Sequence, residues 1–274
     1  MSAAGDSERL LIAARRALLD ALEALEEHRD ALVLIGAQAI YLHTGAADVA
    51  LAEATKDSDI VIDPRVLEDE PLLDEAMRRA EFHPDLEQPR HGSWLSPDGI
   101  PVDLMVPERL AGPGSKKTRG ARIPPHDERA TRRTPGLEAA VVDHAPMRID
   151  PLDALDGRHV VMNVAGPAAL LVAKLHKLGD RQATPTRLVD KDAHDVYRLL
   201  VAVDTATLAA RLHELRTDAL AGEAIELLNE LFGQGPEATG AAMAGRAEEL
   251  VGDPLTVSAS VAALAGDLLE ALET

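Results

Sequence analysis

Leu10, Leu11, Ala14, Leu18, Leu22 and Leu25 recur at intervals of three and four, the spacing that lines one face of a helix. A helix is predicted over about 8–28, with Ser7 as its N-cap. Residues 31–35 (Ala-Leu-Val-Leu-Ile) read as a short buried strand, followed by Gly36 and a helix over 37–43 that ends at Gly45. A second strand is predicted at 57–62, closed by Pro64. A helix over 72–80 comes next, then a strand-like stretch at 93–95 and a third clear strand at 100–106. Residues 111–136 are rich in Gly, Pro and basic side chains and read as a long mobile loop or hairpin. Three short strand candidates follow, at 139–142, 147–149 and 159–164.

The period changes at Gly166-Pro167. Beyond it the apolar spacing is 3.6 rather than two, and helices are predicted over 167–181, 189–203, 205–217, 220–232, 237–251 and 257–272. The pattern predicts an α+β protein: a mixed-sheet domain over 1–165 and a helical bundle over 166–274. There is no internal repeat.

Composition narrows this picture. Aromatic residues make up only 2% of the 274, so the core must be built from Leu, Val, Ile and Ala. The absence of cysteine removes disulfides, thiolate metal sites and cysteine nucleophiles, and fits a reducing cytosol. No signal-peptide layout opens the chain. The most apolar window, 160–173, is broken by Asn163, Gly166 and Pro167 and is too short to span a bilayer. The expectation is a cytoplasmic protein with no membrane partner. A net charge of −19 argues against indiscriminate nucleic-acid binding. Residues 115–133 run against that trend, with seven basic side chains (Lys116, Lys117, Arg119, Arg122, Arg129, Arg132, Arg133) and two acidic ones.

The candidate chemistry begins at Asp57-Ser58-Asp59. In a strand both carboxylates leave the same side, and two such charges repel unless a cation lies between them. Mg²⁺, or Mn²⁺ in its place, prefers such oxygen donors. Among 47 acidic residues an Asp-x-Asp also arises by chance, as Asp190-Lys191-Asp192 shows. Gly36 between a strand and a helix is either a tight turn or a place where backbone N–H groups meet phosphate. Asp103 is the one charge in its apolar strand; it faces water or it needs a partner. On the helix after Pro167, Lys174 falls on the apolar stripe of Leu171, Leu175 and Leu178, while Lys177 lies off it. On the next helix Asp192 falls on the stripe, with Asp195 at its edge. Either Lys174 and Asp192 form an internal ion pair, or both line a cleft where Lys174 meets phosphate and Asp192 orients it.

Taken together, these places resemble the nucleotidyltransferase superfamily, and more closely the AbiEii/MenT type of nucleotidyltransferase toxin. The matching features are Ile35-Gly36 opening a helix, Asp57-x-Asp59 some twenty residues on, Val102-Asp103-Leu104, and Lys174 followed by Lys191-Asp192-Ala193-His194-Asp195. They span about residues 32–200. Ala37 stands where the family usually has Gly or Ser, which removes a hydroxyl from the phosphate site. Lys191 stands where Arg is commoner.

The resemblance implies a polymerase-β-like fold and transfer of a nucleoside monophosphate from a nucleoside triphosphate. Asp57, Asp59 and Asp103 would hold Mg²⁺ or Mn²⁺, and Asp103 would help deprotonate the attacking hydroxyl. Lys174 would hold the β- and γ-phosphates and Asp192 would orient it. Gly36, Ala37, Thr55 and Lys56 would line the nucleotide. The acceptor implied is the 3′ end of tRNA, with Lys116, Lys117 and Arg119 on the RNA backbone and a cognate antitoxin as partner. Two other readings compete. A transferase acting on a small molecule or a protein needs no basic segment, and a catalytically silent binding module needs no clustered carboxylates.

Overall fold

Short apolar runs flanked by turn residues make the strands of the first half. In the computed structural model β1 (Leu32–Ile35) is buried along its whole length, as its unbroken Leu-Val-Leu-Ile requires. The structure describes residues 3–45, 57–85, 90–115, 117–217, 219–249 and 252–273; Thr55, Lys56 and Lys116 lie outside them. The chain divides into two compact units, Met1–Ala39 with Ala54–Ala165, and Ile40–Glu53 with Gly166–Thr274.

In the first unit α1 (Ala3–Ala24) precedes β1, and α2 (Gly36–Thr44) follows it directly. The helix α1 starts ahead of Ser7, so the predicted cap is an interior residue. Then come β2 (Ser58–Ile62), α3 (Leu73–Arg79), β3 (His83–Pro84), β4 (Ser93–Leu95) and β5 (Pro101–Pro107). The unit closes with β6 (Arg132–Thr134), β7 (His144–Ile149) and β8 (Val160–Ala165). Among the described residues these strands form one mixed sheet in the order β3-β4-β5-β2-β1-β8-β7, with β6 beside β5. Strand β2 runs antiparallel to β1 and parallel to β5.

Alternation gives the central strands two chemically different faces. Ser58, Ile60 and Ile62 of β2 are buried, as are Val102, Leu104 and Val106 of β5. On that side the Ser58 hydroxyl donates to the carbonyl of Ala14 in α1 (3.2 Å). Asp59 and Asp103 point the other way.

One expectation is corrected here and another is decided. Residues 139–142 form no strand: Glu138–Val141 is a 3₁₀ turn that buries its alanines immediately before β7, leaving no length for a strand and a reversal. Among the described residues, 111–136 are not a free loop but close as a hairpin, in which Gly120 bridges Arg132 antiparallel and the Arg133 N–H donates to the Arg119 carbonyl (2.9 Å). Their end is β6, which pairs in parallel with Met105–Pro107, beyond the point where the short β4 stops covering β5.

The second unit is helical: α4 (Pro167–Gln182), α5 (Asp190–Ala202), α6 (Thr205–Thr217), α7 (Gly222–Leu228), α8 (Thr239–Ala247) and α9 (Pro254–Glu273). Pro167 occupies the first turn of α4, where its missing N–H costs nothing. The helix predicted over 220–232 is divided, with α7 passing into a π-helical turn at Asn229–Gly233. The described residues 40–45 belong to this unit for a visible reason. The Arg198 guanidinium of α5 lies 5.4 Å from the Tyr41 ring and donates to the carbonyl and hydroxyl of Thr44.

The apolar window 160–173 is not the longest of its kind. By length and composition α9 is sufficient to cross a membrane. It nevertheless buries Val257, Val261, Ala265, Leu268 and Leu272, spaced as one face that packs against α6 and α8.

Candidate active site

Cross-strand register places the candidate residues of the first unit in one row. Ile35 is opposite Asp59, Asp59 is beside Asp103, and Asp103 is opposite Ser93. The row therefore crosses β1, β2, β5 and β4, and its neighbours lie about 4.8 Å apart by strand spacing. Asp59 and Asp103 share one face of the sheet at adjacent positions. They sit one residue into β2 and two residues into β5.

Gly36 abuts this row. Its φ is +72°, a left-handed conformation that favours glycine. A Cβ on Gly36 would run into the Asp59 carboxylate and would lie 3.1 Å from the Asp59 Cβ. The bend that starts α2 thus brings the backbone of a helix N-terminus against a carboxylate of the row. Ala37 is buried at the next position.

A buried polar chain supports this corner from behind. Arg15 donates through Nε to Gln38 Oε1 and through a terminal nitrogen to the Asp150 carbonyl, both at 2.7 Å. Gln38 Nε2 in turn donates to Ser58 Oγ at 2.6 Å. Burial pulls the Arg15 pKa down from its ordinary value, with Asp150 opposing it. These contacts fix the first turn of α2 to the residue before Asp59. Nothing in the apolar pattern singles out Arg15, Gln38 or Ser58.

Asp57 is exposed and lies outside β2, one residue before the ladder begins. Among the described residues no three carboxylates or histidines gather closely enough to hold a metal ion. The structure brings Asp59 and Asp103 together and leaves Asp57 at the strand's mouth. One Asp103 oxygen accepts from the Arg132 guanidinium at 2.7 Å, and Arg132 also touches Met105 Sδ at 3.2 Å. Arg132 is a site residue that the sequence concealed among six other basic residues of the same segment. The donor set still suits Mg²⁺, which is usually held by one or two carboxylates, waters and substrate phosphates rather than by a closed protein cage.

The rest of the basic segment is dispersed. Arg122 pairs with Glu128 (3.3 Å). Arg133 donates to the carbonyls of Glu108, Ala111 and Gly112. Lys117 and Arg119 are exposed.

In the helical unit the internal ion pair is present, and it is larger than a pair. Lys174 Nζ donates to Asp192 (2.8 Å) and Asp195 (2.6 Å), while Lys177 (2.9 Å) and Arg181 (3.0 Å) also donate to Asp192. Lys174, Asp192 and Asp195 are all buried. Burial alone would lower the Lys174 pKa, but the two carboxylates outweigh it and hold the ammonium well above the ordinary lysine value. For Asp192, burial pushes upward and Lys174 and Lys177 pull harder, leaving it well below the ordinary carboxylate value. Lys174 and Asp192 are therefore both charged at neutral pH.

A family model for nucleotidyltransferases matches residues 14–221. None of the curated proteins matches. A crystal structure from H. pylori, itself assigned to the nucleotidyltransferases only provisionally, aligns over 100% of this chain and 98% of its own. Its identity is 14% and its TM-score 0.42, too slight a likeness to carry an inference.

Proposed function

The chain belongs to the nucleotidyltransferase family, and on that premise we propose that the row from Gly36 to Asp103 transfers a nucleoside monophosphate from a nucleoside triphosphate to an acceptor hydroxyl. The observation that carries the proposal is the register. Two carboxylates stand side by side on one sheet face, and the start of a helix is pressed against the first of them.

The first turn of α2 offers backbone N–H groups to phosphate oxygens. Asp59 and Asp103 would hold Mg²⁺, with Asp57 at the mouth of the strand as a further oxygen donor. When bound, the ion neutralises the triphosphate and aligns its α-phosphorus for in-line attack. Asp103, on the side of the row away from Gly36, accepts the proton of the attacking hydroxyl. The hydroxyl oxygen bonds to the α-phosphorus as the α–β P–O bond breaks, and pyrophosphate leaves. Lys174 would hold the β- and γ-phosphates and Asp192 would orient it. The Lys174→Ala variant discussed below separates these roles from a purely internal one.

The finer reading is a toxin of the AbiEii/MenT type that modifies the 3′ end of tRNA and is neutralised by an antitoxin. The order of motifs supports it, as do the exposed cations Lys117 and Arg119. Purified protein with Mg²⁺ and each of the four α-labelled triphosphates is incubated with bulk tRNA, and separately with small-molecule and protein acceptors. Label in tRNA is the expected result. Label confined to another acceptor overturns the RNA assignment, and label in none overturns the transferase activity.

A further inference from the structure

Behind the corner where α2 starts, hydrogen bonds from three distant segments close into a ring. Arg15 of α1 donates through Nε to Gln38 Oε1 (2.7 Å), and Gln38 Nε2 donates to Ser58 Oγ (2.6 Å). The Ser58 hydroxyl returns to the carbonyl of Ala14, the residue before Arg15 (3.2 Å). Arg15, Gln38 and Ser58 are all buried. The direction of the bonds is fixed by chemistry. A guanidinium only donates, so the Gln38 amide turns its oxygen to Arg15 and its nitrogen to Ser58. Ser58 accepts from Gln38 and has its one proton left for Ala14. With every donor pointing the same way round, each bond polarises the next.

Burying a guanidinium is costly, and the acceptors that Arg15 reaches, Gln38 Oε1 and the Asp150 carbonyl, are neutral oxygens. Packed apolar side chains would hold α1 against the sheet at less cost. What the ring adds is placement. Gln38 lies in the first turn of α2, two residues after Gly36, and Ser58 immediately precedes Asp59 on β2. From the back of the sheet the ring thus ties together the helix start and the strand that converge on its front. The space between them there is less than one methyl group, since a Cβ on Gly36 would run into the Asp59 carboxylate.

Resting on the nucleotidyl-transfer reading, we propose that Arg15 and Gln38 are positioning residues for the reaction: they set where the first turn of α2 stands relative to Asp59, and so where the triphosphate stands relative to the carboxylate row. They act through the backbone and through Asp59, without touching the substrate. A shift of about 1 Å between those two parts is enough to cost on the order of a hundredfold in rate.

The full chain is assayed with Mg²⁺, α-labelled triphosphate and bulk tRNA or whichever acceptor the parent labels, and kcat and KM for the triphosphate are read separately. Gln38→Met keeps the length of the side chain and removes its hydrogen bonds. Its kcat should fall about a hundredfold while KM stays within about threefold, because the N–H groups still meet phosphate but hold it out of line. Gln38→Glu keeps an acceptor for Arg15, and the Ser58 hydroxyl can turn to donate to it. It should therefore recover at least about tenfold of that loss, since both links of the ring are restored. Adding Ser58→Ala to Gln38→Met should cost nothing further, the ring being already cut.

A folded Gln38→Met protein with the parent's kcat, or Gln38→Glu no faster than Gln38→Met, overturns the proposal. If Gln38→Met fails to fold by circular dichroism, Ser58→Ala alone decides. It cuts only the strand end of the ring and should lower kcat about fivefold, and a parent-like kcat there overturns the proposal. Transfer by the parent with equally active variants removes the positioning role alone. No transfer by the parent removes the nucleotidyl-transfer reading, and the positioning role with it.

Discussion

Arg132 reaches from β6 to the carboxylate of Asp103 at 2.7 Å, the residue that stands beside Asp59 in the sheet. The pair is partly exposed, at 27% and 15% of the side chains, so it contributes at most about 1 kcal/mol to stability. Its larger effect is on charge. Arg132 supplies a cation to the Asp103 carboxylate from the β6 side of β5. Arg132→Met is therefore expected to bind Mn²⁺ a few-fold more tightly than the parent without nucleotide, because the guanidinium no longer competes with the ion for the Asp103 carboxylate. Titration calorimetry checks this, and equal or weaker Mn²⁺ binding counts against Asp103 as a metal ligand.

Gly36→Ala tests the corner where α2 meets the row. The left-handed backbone costs an alanine about 1–2 kcal/mol, and its methyl group must displace the Asp59 carboxylate. The variant should lose roughly that much stability in a denaturant titration. It should also lose at least about tenfold in kcat, since about 1.4 kcal/mol of lost positioning is enough. Full activity in a folded Gly36→Ala protein would detach Gly36 from the site.

Lys174→Ala leaves Asp192 with Lys177 and Arg181 but leaves Asp195 without its ammonium, at 1% exposure. Removing one partner of a buried ion pair costs about 3–5 kcal/mol, read by chemical denaturation. If Lys174 also serves phosphate, the folded variant shows a raised KM for triphosphate beyond its stability loss. A KM equal to the parent's assigns Lys174 to the internal network alone.

The same network sets an acid limit. Asp192 has a folded pKa below its ordinary value of 3.8. Its stabilisation is complete above that value and is lost as pH falls from about 4 toward the lowered pKa. Lys174 is raised, so its contribution is complete below 10.5 and is lost only in strong alkali. Asp192→Asn should therefore lower stability at neutral pH and flatten its decline below pH about 4. A decline as steep as the parent's would place the acid sensitivity elsewhere, for example at Asp63, which Arg65 holds low against the opposing effect of burial.

The strands that carry Asp59 and Asp103 were legible because Asp59 opens a β-branched run and Asp103 is the one charge inside an apolar one, and the helical half was legible from its period. The helix over 205–217 agrees at both ends. What stayed hidden depends on pairing between distant segments. Strand β6 is Arg-Arg-Thr at a partly exposed edge, with no alternation to reveal it, and without β6 nothing distinguishes Arg132 from Arg129 or Arg133. Gln38 and Ser58 look like ordinary polar residues until α1 supplies Arg15 and the Ala14 carbonyl. The run 139–142 has a strand's composition, but the chain needs those four residues to turn.

The most direct measurement is transfer of label from α-labelled nucleoside triphosphates to RNA by the parent and by Asp59→Asn and Asp103→Asn, side by side with Mg²⁺. The parent should label RNA and release an equal amount of pyrophosphate, and each variant should lose at least about a hundredfold, near 2.7 kcal/mol. Variants as active as the parent, once shown to be folded, would contradict the placing of the chemistry on the β2–β5 row.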